Sequence, residues 1–190
     1  MTVRPKRELG QHFLADGNIL GVIGRLARLE RGDVVLEIGP GLGVLTSYLA
    51  DRVRLVHAVE LDRSLERELA AALAERDNVQ LHWGDALALD LAALDPPPTK
   101  LVANLPYNVA TPIVVESLDG LPGLGSWCVM VQREVADRFF AEPGTETAPY
   151  AFVLGDAKRR SATSRCNITH HELTVGMRSR LSAINGVAML

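Results

Sequence analysis

The amino-acid sequence predicts an α/β domain built on a doubly wound, mostly parallel sheet. Three observations lead there. Short apolar runs alternate with helical segments from Val34 to Phe140. The runs are continuous, as strands buried on both faces require, where a half-exposed strand would alternate. A glycine-rich turn joins the first run to the helix that follows it. The composition suits such a domain: 190 residues, 47% hydrophobic and 23% charged, are enough for one sizeable core and exclude a disordered, collagen-like or disulfide-scaffold chain.

In order along the chain, Arg4 to Leu14 is short and basic, broken by Pro5 and Gly10. Asp16 is placed to cap a helix in which Ile19, Leu20, Val22, Ile23 and Leu26 recur at helical spacing. Val34–Ile38 reads as a buried strand, followed by the glycine turn and a helix from Gly43 to Ala50. Leu55–Val59 is a second strand, and Arg63 to Glu75, rich in Leu, Ala, Glu and Arg, a helix. Val79–His82 and Leu101–Ala103 are the third and fourth strands, with Asp95-Pro96-Pro97-Pro98 a loop between them. Thr111 to Leu118 is a helix, Trp127–Val131 a fifth strand, and Arg133 to Phe140 a further helix.

Charge and cysteine content narrow the function classes. Cys128 and Cys166 lie far apart with no CxxC spacing, which predicts a reducing compartment and neither metal nor redox chemistry. The basic N-terminus leads into no apolar signal core and no apolar run is long enough for a bilayer, so a cytoplasmic protein without membrane partner is expected. Aromatic residues are 5% of the chain, too few for a platform stacking several bases, though enough for a single-base pocket. The net charge of −3 hides a split: residues 148–190 carry +4, leaving −7 on residues 1–147. His170-His171-Glu172 lacks further ligands at zinc spacing and reads as solvated chain.

The strongest local signal is Glu37-Ile38-Gly39-Pro40-Gly41-Leu42-Gly43 at the first strand–helix junction. Glycines there let the backbone turn tightly and approach a ligand, and the helix start adds unpaired amides. At the end of the second strand, Glu60-Leu61-Asp62 puts a carboxylate where it can accept both hydrogen bonds of a ribose diol. After the third strand, Asp85 in Gly84-Asp85-Ala86 can accept from an adenine amino group. These three strand ends predict an adenosine pocket. A dinucleotide fingerprint G-x-G-x-x-G would need its third glycine where Val44 stands, and Glu37 would repel a pyrophosphate. The E-x-G-x-G-x-G pattern suits S-adenosylmethionine, a positively charged sulfonium without phosphate. A nicotinamide-dependent oxidoreductase is the disfavoured alternative.

After the fourth strand comes Asn104-Leu105-Pro106-Tyr107-Asn108. The exocyclic amine of adenine is a poor nucleophile because its lone pair is delocalised into the ring. The Asn104 side-chain oxygen and the Leu105 carbonyl are suited to accept its two N–H bonds and aim the nitrogen at a methyl group, with Pro106 fixing the turn and Tyr107 stacking on a flipped-out base. No strongly perturbed general base is required.

Residues 4–145 closely resemble the ribosomal RNA adenine dimethyltransferase (KsgA-type) family. The resemblance is carried by Leu9-Gly10-Gln11-His12-Phe13-Leu14, Glu37–Gly43, Glu60–Asp62, Gly84–Ala86, Asn104–Pro112 and Val131–Ala136. It implies a Rossmann-like S-adenosylmethionine-dependent methyltransferase fold. It also implies methyl transfer to the 6-amino groups of two adjacent adenines near the 3′ end of small-subunit rRNA, in an immature ribosomal subunit, by a monomeric enzyme. It further implies that His12 and Leu14 border the donor, that Gly39, Gly41, Glu60 and Asp85 hold it, and that Asn104 both lines the donor site and orients the target amine. The family usually has Asn at the position of His12, so a backbone contact is expected there. Two alternatives stay open: the erythromycin-resistance methyltransferases of large-subunit rRNA, which share the architecture, and a non-catalytic RNA-binding assembly factor. Arg4, Lys6 and Arg7 are candidates for phosphate contacts.

Past Pro143-Gly144-Thr145 the resemblance ends. Family members continue into two further strands enclosing an F-x-P-x-P-x-V-D-S loop and then a small helical domain, and no such stretch occurs here. The sequence therefore predicts a methyltransferase domain over residues 1–147. It predicts a disordered non-family tail over 148–190, from a frameshifted or altered gene end, which leaves the sheet without its last strands and impairs catalysis more than donor binding.

Overall fold

The computed structural model describes residues 17–106, 109–132, 150–156 and 187–189. The helices are α1 (Gly17–Leu26), α2 (Val44–Ala50), α3 (Glu66–Ala72) and α4 (Ala110–Gly120). The strands are β1 (Val34–Ile38), β2 (Leu55–Glu60), β3 (Val79–Trp83), β4 (Lys100–Asn104), β5 (Ser126–Gln132), β6 (Tyr150–Asp156) and β7 (Val187–Met189). They form one sheet in the order β3-β2-β1-β4-β5-β6-β7. The first five strands are parallel, with Val34 opposite Leu55 across β1–β2 and Leu36 opposite Leu101 across β1–β4.

Both faces of this parallel sheet are buried, which explains why β1 is apolar throughout apart from Glu37. On one face Leu36, Ile38, Val59, Leu101 and Ala103 pack under Ala110, Ile113 and Val114 of α4. On the other, Val35, Val56, Ala58 and Val102 pack under Ile23 of α1 and Leu45 and Leu49 of α2. Two polar residues inside these layers are satisfied by partners from other segments. His57, fully buried on β2, bonds the Pro96 carbonyl oxygen at 2.9 Å and His82 at 3.1 Å. Trp127 Nε1 donates to Ser117 Oγ at 2.9 Å, joining β5 to α4.

Chain order reverses between β1 and β4: β2 and β3 extend the sheet to one side, β4 and β5 to the other. The loops leaving the carboxyl ends of β1 and β4 diverge at this point and open a crevice, where ligands bind in open α/β sheets.

Two expectations need correction. The sequence predicts a sheet that lacks its last strands and has an open edge after β5. Instead β6 pairs antiparallel with the whole of β5, from Ser126 opposite Asp156 to Gln132 opposite Tyr150, and β7 pairs with β6. The run Tyr150-Ala151-Phe152-Val153-Leu154 is rich in aromatic and branched apolar residues, and pairing it satisfies the backbone groups a bare edge would leave open. The helix expected over Arg63 to Glu75 is also shorter. Asp62 accepts a hydrogen bond from Ser64 N at 2.9 Å and sets a 3₁₀ turn over Arg63–Leu65, and the α-helix covers only Glu66–Ala72. The expected cap at Asp16 and helix over Arg133 to Phe140 lie outside the described residues.

Candidate functional site

The glycine loop owes its composition to its backbone. Gly39, Gly41 and Gly43 have φ of 74°, 58° and 79°, in the left-handed region where a side chain is strained. Gly43 is glycine for a second reason, since a Cβ there would lie 3.0 Å from Leu69 Cδ1 of α3. It lets helix and loop pack closely, whereas Gly39 and Gly41 face the crevice.

That crevice is a cavity of about 180 Å³ lined from three strand ends. Gly39 to Leu42 and Val44 come from the β1–α2 junction, Glu60, Asp62 and Leu65 from the end of β2, and Asn104, Leu105 and Pro106 from the end of β4. Among the described residues two carboxylates line it and no Lys, Arg or His does. The Asn104 side chain, half-buried at its wall, has no hydrogen-bond partner among the described residues. The turn that carries it is anchored on both sides. Leu105 N donates to Met130 O of β5 at 2.9 Å, and Pro106 O accepts from Ala110 N at 3.1 Å as α4 begins.

Glu60 is almost fully buried, and both its oxygens are engaged: Oε2 accepts from Gly41 N at 3.1 Å and Oε1 from Asp62 N at 2.8 Å. Glu37 points to the α2 face of the sheet, as its alternation with Val35 dictates. It is 1% exposed, and its Oε2 and the nearby Thr46 Oγ1 are both buried without a hydrogen-bond partner among the described residues. Burial pushes the Glu37 carboxyl up to about 8; the Thr46 hydroxyl holds the rise back and the Glu60 carboxylate adds to it.

The structure thus brings Gly39, Gly41, Glu60, Asn104, Leu105 and Pro106 to one cavity. Asp85 is not among its lining residues. It stands one strand further out, after β3, exposed, with Oδ1 accepting from Leu87 N at 2.9 Å in a local turn. His12, Leu14 and Tyr107 lie outside the described residues, as do Arg4, Lys6, Arg7 and His170–Glu172. The cavity also uses Leu42, Val44 and Leu65, which glycine spacing does not single out. The signal for them is unsatisfied apolarity: Leu42 and Val44, beside the glycines, remain exposed, as does Leu61. No cluster able to hold a metal ion and no helix long and apolar enough to cross a membrane occurs among the described residues.

A five-stranded parallel core in 3-2-1-4-5 order with an antiparallel strand beyond it, and an acid-lined crevice at its switch point, define a Rossmann-like domain of the methyltransferase class. Known proteins narrow this further. The chain belongs to the ribosomal RNA adenine dimethylase family, whose model matches residues 3–149. It is 52% identical over 145 residues to the ribosomal RNA small subunit methyltransferase A of Rubrobacter xylanophilus, covering 76% of this chain and 55% of that protein. With the protein of the same name from Rhodococcus erythropolis it shares 42% identity over 172 residues, 86% of this chain and 58% of that one. The chain spans about half the length of the curated relatives it matches. Among solved structures, a dimethyladenosine transferase from Plasmodium falciparum superposes with a TM-score of 0.59 at 27% identity, over 68% of this chain and 46% of that one. The 23S rRNA methyltransferase ErmE gives 0.58 at 32% identity, over 65% and 49%.

Proposed function

We propose that this chain is the donor-binding and catalytic part of an S-adenosylmethionine-dependent rRNA adenine dimethyltransferase, methylating the 6-amino groups of adjacent adenines near the 3′ end of small-subunit rRNA. One observation carries the choice of donor: the cavity at the switch point is lined by Glu60 and Asp62, with no Lys, Arg or His among its described lining residues. A pyrophosphate would be repelled there, whereas a sulfonium and an α-ammonium group are attracted. When bound, the donor supplies an electrophilic methyl group on positively charged sulfur.

The chain's own residues supply binding and orientation. Glu60, with lone pairs to spare beyond its two backbone bonds, accepts from a ribose diol. Asp85 turns from its local bond to an adenine amino group. The Asn104 side-chain oxygen, without a partner among the described residues, and the Leu105 carbonyl accept the two N–H bonds of the target amine and orient its nitrogen toward the donor. With the donor bound, the target nitrogen would take its methyl group while the S–C bonding pair stays on sulfur, and the amine would then lose its surplus proton to solvent. Pro106 keeps this turn in register with α4. Tyr107, His12 and Leu14 complete the pocket on the resemblance alone.

The relatives named for the small subunit, at 42–52% identity, favour that substrate over the large-subunit RNA named for ErmE at 32%. The enzyme is taken to act as a cytoplasmic monomer on immature small subunits, with the domain ending near residue 147. Radiolabelled methyl transfer to immature small subunits, to 23S rRNA and to both with Asn104→Ala separates the readings. Transfer to the small subunit alone, lost in the variant, is expected. Transfer to 23S rRNA alone would favour the erythromycin-resistance type. Subunit binding that survives in the variant, with no transfer by either protein, would favour an assembly factor.

A further inference from the structure

The Glu60 carboxylate does something that a ribose ligand need not do. Its two oxygens bridge two separate loops: Oε2 takes the N–H of Gly41, in the β1–α2 turn, and Oε1 the N–H of Asp62, just beyond its own strand. Gly41 has φ 58° and lies between two other left-handed glycines, so the turn has little conformational preference of its own. Its remaining described ties are at the flanks, where Gly39 N donates to Val59 O at 2.9 Å and Gly43 N to Pro40 O at 2.9 Å. No described backbone acceptor takes the amide of Gly41, at the turn's centre. On the other side, Asp62 N is held while the Asp62 side chain accepts from Ser64 N and starts the 3₁₀ turn before α3. One carboxylate therefore sets the spacing of both walls of the cavity.

We propose that Glu60 is a positioning residue that organises the glycine loop before any donor arrives, and that its contact with a ribose is a second use of the same group. A carboxylate has about four lone-pair sites, so two backbone bonds leave room for two hydroxyls. Gln in its place cannot serve both amides, because one arm of its side chain is itself a donor and would face a backbone N–H. The loop order rests on the geometry alone; its consequence for affinity rests on the donor reading given above.

Amide exchange in the ligand-free full chain separates the two. In the wild type, the Gly41 and Asp62 amides should exchange slowly. In Glu60→Gln the amide left facing the NH2 arm should exchange about tenfold faster, the loss of one charge-assisted bond, while β1 and β4 amides keep their protection. Glu60→Asp keeps the charge but is one methylene shorter, and should also release at least one of the two amides. A Glu60 that served only as a ribose ligand would leave every one of these rates unchanged without donor, and that result overturns the proposal. Should neither variant fold, scalar coupling across the hydrogen bond between the Gly41 amide nitrogen and the Glu60 carboxyl carbon decides the matter in the wild type. Its presence supports the clamp and its absence overturns it. Because no donor is present, a failure of donor binding would sink the functional reading and leave these measurements standing.

Discussion

Glu37→Gln isolates the energetic consequence of burying a carboxyl near the glycine loop. Burial pushes this group from 4.5 up to about 8 in the folded chain. The unfolded chain sheds the proton near the ordinary value, so between these two pH values the folded form holds a proton that the unfolded form has lost. The stability associated with the neutral carboxyl is whole below the lower value, falls as the pH rises, and levels off above about 8. A tenfold change in proton affinity corresponds to about 1.4 kcal/mol, so the wild-type chain should lose roughly 2–3 kcal/mol through this one group between pH 5 and pH 7. Gln keeps the shape and cannot ionise. The stability difference between variant and wild type should therefore widen by that amount over the same interval, in favour of the variant. Urea unfolding followed by the fluorescence of Trp83 and Trp127 reads it. With a slope of about 2 kcal/mol per molar urea, the two midpoints should move apart by about 1 M. Taking the difference cancels the other titrating groups. Parallel pH profiles for the two proteins would refute the reasoning, since Glu37 would then titrate alike in the folded and unfolded chains.

Gly43→Ala should destabilise the fold by about 1–3 kcal/mol in urea unfolding, because it adds a left-handed alanine to a 3.0 Å approach to Leu69 Cδ1. Lys100→Met should cost about 3 kcal/mol or more by the same measurement, since Asp33, its partner at 2.8 Å, would be left largely buried without a counter-charge. The Cys128 thiol, pushed up to about 12 by burial, should resist iodoacetamide at pH 8 in the native chain and react only after unfolding, as peptide mass spectrometry would show.

The fold was legible where one local rule acted alone. Continuous apolar runs gave away β1, β2 and β4 because strands covered on both faces have no polar side to alternate. The α3 region was misjudged because the Asp62 cap imposes a 3₁₀ turn that helix propensity does not reveal. The strand at Tyr150–Asp156 is not expected from the sequence, because outside the family resemblance nothing local names its partner, the free edge of β5. At the site, glycine spacing and the acidic strand end marked Gly39, Gly41 and Glu60. In the ligand-free chain Asp85 Oδ1 accepts from Leu87 N in a local turn, a competition that spacing alone does not show. The two backbone bonds of Glu60 and the lodging of His57 between Pro96 and His82 depend on distant residues and left no trace in the sequence.

On the function proposed above, the acid-lined cavity at the switch point, with no Lys, Arg or His among its described residues, suits a sulfonium donor and not a phosphate-bearing one. Calorimetric titration of the full chain with S-adenosylmethionine, and separately with NAD, tests it directly. Saturable one-site binding of S-adenosylmethionine, weakened in Glu60→Gln, and no binding heat with NAD are expected. A folded chain that binds NAD, or that gives no saturable heat with S-adenosylmethionine, would contradict it.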